Sequence, residues 1–243
     1  MTGMPVLDRR IKPKRLYEQV AERLEEAILR GNYPAGAQLP SERDLMREFG
    51  VGRPAVREAL FHLAKMGLIE VRSGERALVT RPTAKVVFES IAGAARVMLS
   101  EPGGVRNFQQ AREFLEVGLA RHAAESATED DLRGLKSALD ANRATIGDNE
   151  RFETTDIAFH YALAMIPRNP IFTALHAAFA EWLVKQRRIT LSVGGQNEIA
   201  YRAHEAIYGA IARRDPDTAE HVMRDHLQQV ARSYWAVVET GGG

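Results

Sequence analysis

The sequence has no cysteine. Disulfides and thiolate metal ligands are therefore excluded, and any divalent ion falls to histidine and carboxylate. No stretch nears the ~18 consecutive apolar residues of a membrane span, and the opening MTGMPVLDRR lacks an apolar run of signal-peptide length. A soluble cytoplasmic protein with no membrane partner is expected. Aromatic residues are scarce at 7%, the net charge is only +1, and neither repeats nor low-complexity tracts occur. The bulk composition, 45% apolar and 27% charged over 243 residues, suffices for one large core or two smaller ones.

The small net charge conceals an asymmetry. The first 83 residues carry 15 Lys and Arg against 11 Asp and Glu, a balance of +4, which leaves −3 for the remainder. RRIKPKR, Arg9 to Arg15, has five basic residues in seven and reads as a phosphate-seeking arm. Next, LYEQVAERLEEAILR spaces Leu16, Val20, Leu24 and Ile28 as one helical stripe, ended by GNYPAG. Ser41 can cap a second helix, with Asp44 in a partial capping box and Leu45 and Phe49 on the apolar face. A third helix starts with Gly52 as N-cap and Pro54 in its first turn, buries Val56, Ala59, Leu60 and Leu63, and stops at Gly67. Two short β-prone runs, LIEV and ALVT, flank RSGER as a hairpin. Three helices and a hairpin make a winged helix-turn-helix, expected over residues 1–83.

From residue 84 to 240 the pattern is helical throughout. Breaks at EPGG, ATEDD, IGDN, PRNP, SVGGQ and RRDPD leave six or seven segments joined by short loops, as in an antiparallel all-α bundle. The fold class expected is thus mainly α.

Arg53 and Arg57 are four apart and share a side of the third helix, a quarter turn from its apolar stripe. Such a helix tip can enter the major groove of double-stranded DNA, where arginine reaches two acceptors on a guanine edge. Arg43 stands beside them on the preceding helix, and Arg72 and Arg76 flank the hairpin turn. Singly, each is an ordinary surface arginine pairing with neighbours such as Glu42 or Glu58; together with the arm and hairpin they point to DNA.

Of seven histidines, His62, His122, His176 and His221 lack a ligand-type partner at helical spacing. Asp156 and His160 in TTDIAFH are four apart, on one helical face. His204 is in phase with Ile207 and Ile211, and His226 with Met223 and Val230. One Asp and three His suit Zn²⁺ or a similar divalent ion with positions open for a ligand, provided three helices converge; otherwise these are packed core histidines. Arg112 lies one turn before Glu116 and either pairs with it or clamps a ligand carboxylate. Asn169, Arg168, Arg187 and Arg188 are weaker candidates for polar contacts in the same cavity. A metal-dependent hydrolase is the rival reading, with Glu116 its only candidate base; a metal sensor is a third.

LPSERDLMREFGVGRPAVREALFHLAKMGLIEV resembles the winged-helix domain of the GntR superfamily of bacterial regulators, and FETTDIAFHYALA, IPRNPIF, AHEAIYGAIARRDPDTA and DHL resemble the helical FCD domain of its fatty-acid-regulator branch. The resemblance implies a non-enzymatic transcriptional repressor: a homodimer on a palindromic operator, with DNA contacts at Arg43, Arg53 and Arg57. It also implies a metal at Asp156, His160, His204 and His226, and a small carboxylate effector such as sialic acid or another sugar acid, or an aromatic acid. Two departures stand out: GER in the wing where many relatives have a second glycine, and Gly52 where serine is common.

Overall fold

A computed structural model of the chain describes residues 14–72 and 74–240. Most of the basic arm lies outside the described residues. Of its two described members, the Lys14 ammonium pairs with Glu22 at 2.7 Å, and the Arg15 amide, at the head of the first helix, donates to Glu18 Oε2 at 2.9 Å.

The chain divides into two compact units, residues 1–90 and 91–243. In the first, α1 (Leu16–Leu29), α2 (Glu42–Phe49) and α3 (Arg53–Lys65) precede strands β1 (Ile69–Glu70) and β2 (Leu78–Val79). Ser41 caps α2 by accepting from the Asp44 amide, and Gly50 ends it in the left-handed conformation (φ 64°) that glycine adopts freely. Gly52 and Pro54 start α3, and Val56, Ala59, Leu60 and Leu63 are its buried face, closing over Val20 and Leu24 of α1 and Leu45 of α2. Burial of each of these valine and leucine side chains stabilises the unit by about 1.5–3 kcal/mol.

Among the described residues the hairpin pairs Ile69 with Val79 and Glu70 with Leu78, and the Thr80 amide donates to the Leu68 carbonyl at 2.8 Å, so three residues of each four-residue run take part. The far side of β2 is occupied by the segment before α2. The Val79 amide donates to the Ala37 carbonyl and the Leu39 amide to the Ala77 carbonyl, each at 2.8 Å. Leu39, wholly buried, anchors that segment. AGAQL has neither alternation nor β-branched residues, so nothing in it signals a strand-like partner.

Beyond Pro82 the described residues form eight helices: α4 (Ala84–Ser100), α5 (Gly104–Ser126), α6 (Glu129–Arg143), α7 (Asn149–Met165), α8 (Pro170–Trp182), α9 (Val184–Leu191), α10 (Gln196–Ala212) and α11 (Pro216–Thr240). The division between the units falls inside α4 rather than ahead of it. All six expected breaks occur. At the first, a Cβ on Gly104 would collide with the Met98 carbonyl, so glycine is required where the chain reverses. The eighth helix arises at Leu183, a break with no glycine or proline, where a buried leucine leaves the helical conformation (φ −99°, ψ 15°). Within this unit α11 packs on α5, α9 and α10, and α7 on α5, α6 and α8. Their shared core includes Phe152, Phe159, Leu163, Ile207, Ile211 and Met223.

Candidate metal centre and nucleic-acid interface

At the tip of α3, Arg53 and Arg57 project into solvent with side chains 68% and 71% exposed. Their protein neighbour is Glu42, whose carboxylate lies 3.3 Å from Arg53 Nε and 3.9 Å from Arg57 Nε. Exposed pairs of this geometry are weak and exchangeable. Arg43 is exposed on the neighbouring α2. In the wing, Arg72 forks onto Glu70 at 3.0 and 3.3 Å, while Arg76 is exposed near enough to Asp44 to help lower its carboxyl pKa, an effect led by the Ser41 hydroxyl.

The second site lies inside the helical unit. Ring nitrogens of His160 (α7), His204 (α10) and His226 (α11) fall within 4.8 Å of one another, and all three residues are at most 3% exposed. Asp156, one turn before His160, puts Oδ1 3.6 Å from His204 Nε2. The three histidines singled out from spacing therefore converge, because α7, α10 and α11 each carry one in phase with the core stripe, and Asp156 adjoins His204.

Two neighbours fix the ring orientations. The His204 Nδ1–H donates to Asn142 Oδ1 at 2.9 Å, and the Asn142 amide donates in turn to Thr155 Oγ1 at 3.1 Å. Glu116 Oε2 lies 2.5 Å from His160 Nδ1. Both Nε2 atoms then turn inward and face each other at 3.2 Å. Two such lone pairs repel unless a positive charge, a proton or a metal ion, sits beside them. Among the described residues His226 has no hydrogen-bond partner on either ring nitrogen despite its burial, an arrangement native interiors rarely tolerate. Burial, followed by the charge of His160, pushes its pKa down to about 3. Burial, with His226 and His160, likewise keeps His204 well below the ordinary range. Neutral imidazoles are the form that binds metal, so the residues fit a divalent ion.

Two buried guanidinium groups complete the site. Arg112 Nε donates to Glu116 Oε1 at 2.7 Å, and Arg187 Nε to Asp156 Oδ2 at 3.2 Å. Burial alone would raise the Glu116 pKa, but Arg112 and then His160 hold it well below the carboxylate range. Asp156 is depressed in the same way by His160, His204 and Arg187. Arg112, Arg187, Asp156 and His226 line a cavity of about 20 Å³, together with Gln186 and Thr190. That space holds a water or an ion.

Other expected site residues lie elsewhere. Asn169 caps α8 by accepting from the Ile171 amide and does not line the cavity. Glu116 faces His160 rather than the cavity, so its place is behind the imidazole and not on an effector. Arg168 pairs with Asp131 at the surface, and Arg188 with Glu153. His176, unremarkable in sequence, is a core imidazole stacked 6.3 Å from His160, its pKa lowered to about 4 by burial. Asn142 had a readable signal: it falls in phase with Leu135 and Leu139, an amide on an apolar stripe. Gln186 and Thr190 had none, since both depend on the break at Leu183.

Residues 16–79 match the bacterial regulatory proteins of the gntR family, and residues 108–229 match the FCD domain. The chain is 45% identical to the HTH-type transcriptional repressor NanR of Cronobacter sakazakii, over 92% of this chain and 87% of that one. It is 42% identical to NanR of Escherichia coli, over 98% and 91%. Among solved structures it is similar to Streptococcus agalactiae GntR, at 27% identity and a TM-score of 0.61, covering 89% of this chain and 99% of that one. With a winged unit whose arginines face solvent and a helical unit built around three histidines, the chain belongs to the GntR family of bacterial transcriptional regulators, in the branch that carries an FCD domain.

Proposed function

We propose that the chain is a homodimeric transcriptional repressor whose hold on operator DNA is relaxed by a small carboxylate bound at a zinc ion. The ion is held by Asp156, His160, His204 and His226. Arg53 and Arg57 read base edges, while Arg43, Arg72 and Arg76 hold the phosphate backbone. The similarity to NanR repressors supports sialic acid or another sugar acid as effector.

The observation that carries this reading is the charge balance of the buried site. Arg112 and Arg187 cancel Glu116 and Asp156, and His204 and His226, whose pKa values burial pushes down, add no charge. A divalent ion therefore brings two positive charges that no buried side chain balances, in surroundings where uncompensated charge is costly. An anionic ligand supplies the balance, and Arg112 and Arg187 stand on the cavity wall to receive it.

The size of the cavity favours a second reading. At about 20 Å³ it admits an ion but not a sugar acid unless side chains move, so the metal alone could be the signal. A thermal-shift series separates the two, since a ligand that binds the native state raises the melting temperature. The proposal expects Zn²⁺ to raise it and a sugar acid to raise it further only when Zn²⁺ is present. If Zn²⁺ alone dissociates operator DNA and no organic acid adds to the shift, the sensor reading replaces it.

A further inference from the structure

The three histidines are not held alike. His204 is oriented by a hydrogen bond to Asn142 at 2.9 Å and His160 Nδ1 is in close ionic contact with Glu116 Oε2 at 2.5 Å, whereas among the described residues His226 has neither a hydrogen bond nor a carboxylate contact on either nitrogen. Both orienting groups are fixed from behind. Arg112 holds the far oxygen of Glu116 at 2.7 Å, and the Thr155 hydroxyl accepts from the Asn142 amide while lying 2.8 Å from the Thr145 hydroxyl. Asn142 is wholly buried and Glu116 is 2% exposed, so neither acts at the surface. An amide carbonyl or a carboxylate behind an imidazole fixes its tautomer and raises the basicity of the opposite nitrogen.

Resting on the metal reading above, we propose that Glu116 and Asn142 are positioning residues that set His160 and His204 as a preformed ligand pair, and that His226 is the closing ligand, oriented by the ion itself. Glu116 thus serves the metal through His160 rather than touching an effector. Metal affinity is therefore shared unequally. The pair supplies preorganisation through residues that never touch the ion, while His226 supplies one bond and no preorganisation.

The test uses the full-length chain and Co²⁺ as an optical probe, with affinities measured by competition against a chelator. The wild type is expected to bind with a visible ligand-field spectrum that His160→Ala abolishes. Asn142→Ala and Glu116→Gln, with helical circular dichroism retained, should each weaken binding by about 10–100-fold. Asn142→Asp keeps an acceptor facing His204 Nδ1 and can take a hydrogen bond from Thr155, so it should restore tight binding and a wild-type spectrum. It also keeps the question answerable if Asn142→Ala does not fold. Wild-type affinity and spectrum in both Asn142→Ala and Glu116→Gln would overturn the inference while leaving the metal site standing, as would weak binding by a folded Asn142→Asp. Wild-type protein that binds no Co²⁺, or binds it without need of His160, would instead overturn the metal reading and this inference with it.

Discussion

The two units use arginine in opposite ways. In the winged unit Arg53 and Arg57 stand in solvent and share one carboxylate, Glu42, at 3.3 and 3.9 Å. In the helical unit Arg112 and Arg187 are 8% and 6% exposed, each tied to its own buried carboxylate. An exposed pair is worth only about 0–1 kcal/mol, so its guanidinium exchanges readily onto another anion. A buried pair adds little net stability, yet removing one partner strands a charge in the core. The same side chain is available for DNA in one place and fixed as a wall in the other.

The largest expected effect breaks the buried side of this contrast. Glu116→Ala leaves Arg112 without its carboxylate and should cost ~3–5 kcal/mol, read by chemical denaturation of the metal-free chain. A loss under about 1 kcal/mol would show that Arg112 finds water or another partner.

Acid acts on the same unit. The His226 pKa is lowered to about 3 and that of His176 to about 4, against an ordinary value of 6.5. Between these limits the unfolded chain binds protons that the folded chain refuses, so stability rises with pH there and is lost as pH falls below 6.5. The loss is on the order of 1 kcal/mol per pH unit for each histidine. The depressed Asp156 and Glu116 act in the same direction at still lower pH. Melting curves in the presence of a chelator, from pH 7 to pH 4.5, check the slope; a flat profile would mean these imidazoles are protonated in the fold.

On the exposed side, Arg57→Ala should leave folding unchanged and lower affinity for an operator selected from a random-sequence pool by ~1–3 kcal/mol, with relaxed choice at one base pair. Gel shifts showing undiminished, equally selective binding would remove Arg57 from base reading. The smallest effect is expected of Glu42→Gln. It removes the carboxylate competing for both arginines and should raise operator affinity by under about 1 kcal/mol, most clearly at low salt. A fall in affinity would mean that Glu42 positions the arginines instead of competing for them.

Both sides of the comparison were partly legible in the sequence, for different reasons. Arg53 and Arg57 are local: Gly52 and Pro54 fix where the helix begins, and four-residue spacing fixes a shared side. Asp156 and His160 are equally local. The meeting of His204 and His226 with them depends on three helices converging, and the in-phase apolar residues signalled only that each histidine faces inward. Arg187 needed the break at Leu183, which tertiary packing makes without glycine or proline. Glu116 was visible as the i+4 partner of Arg112, but its second oxygen at His160 belongs to a contact between α5 and α7 that no local spacing encodes. Asn169 misled because an asparagine at a PRNP break serves capping as well as it serves a cavity.

The central claim is that a ligand at the buried metal governs the grip of the exposed arginines on DNA. It is tested most directly by titrating a sugar acid into zinc-loaded, operator-bound protein and following release by fluorescence anisotropy, for the wild type and for His226→Ala. The account predicts that both bind operator, that the wild type is released as the acid is added, and that His226→Ala stays bound at the same concentrations. Equal release of the two proteins, or equal release after zinc has been stripped from the wild type, would contradict it.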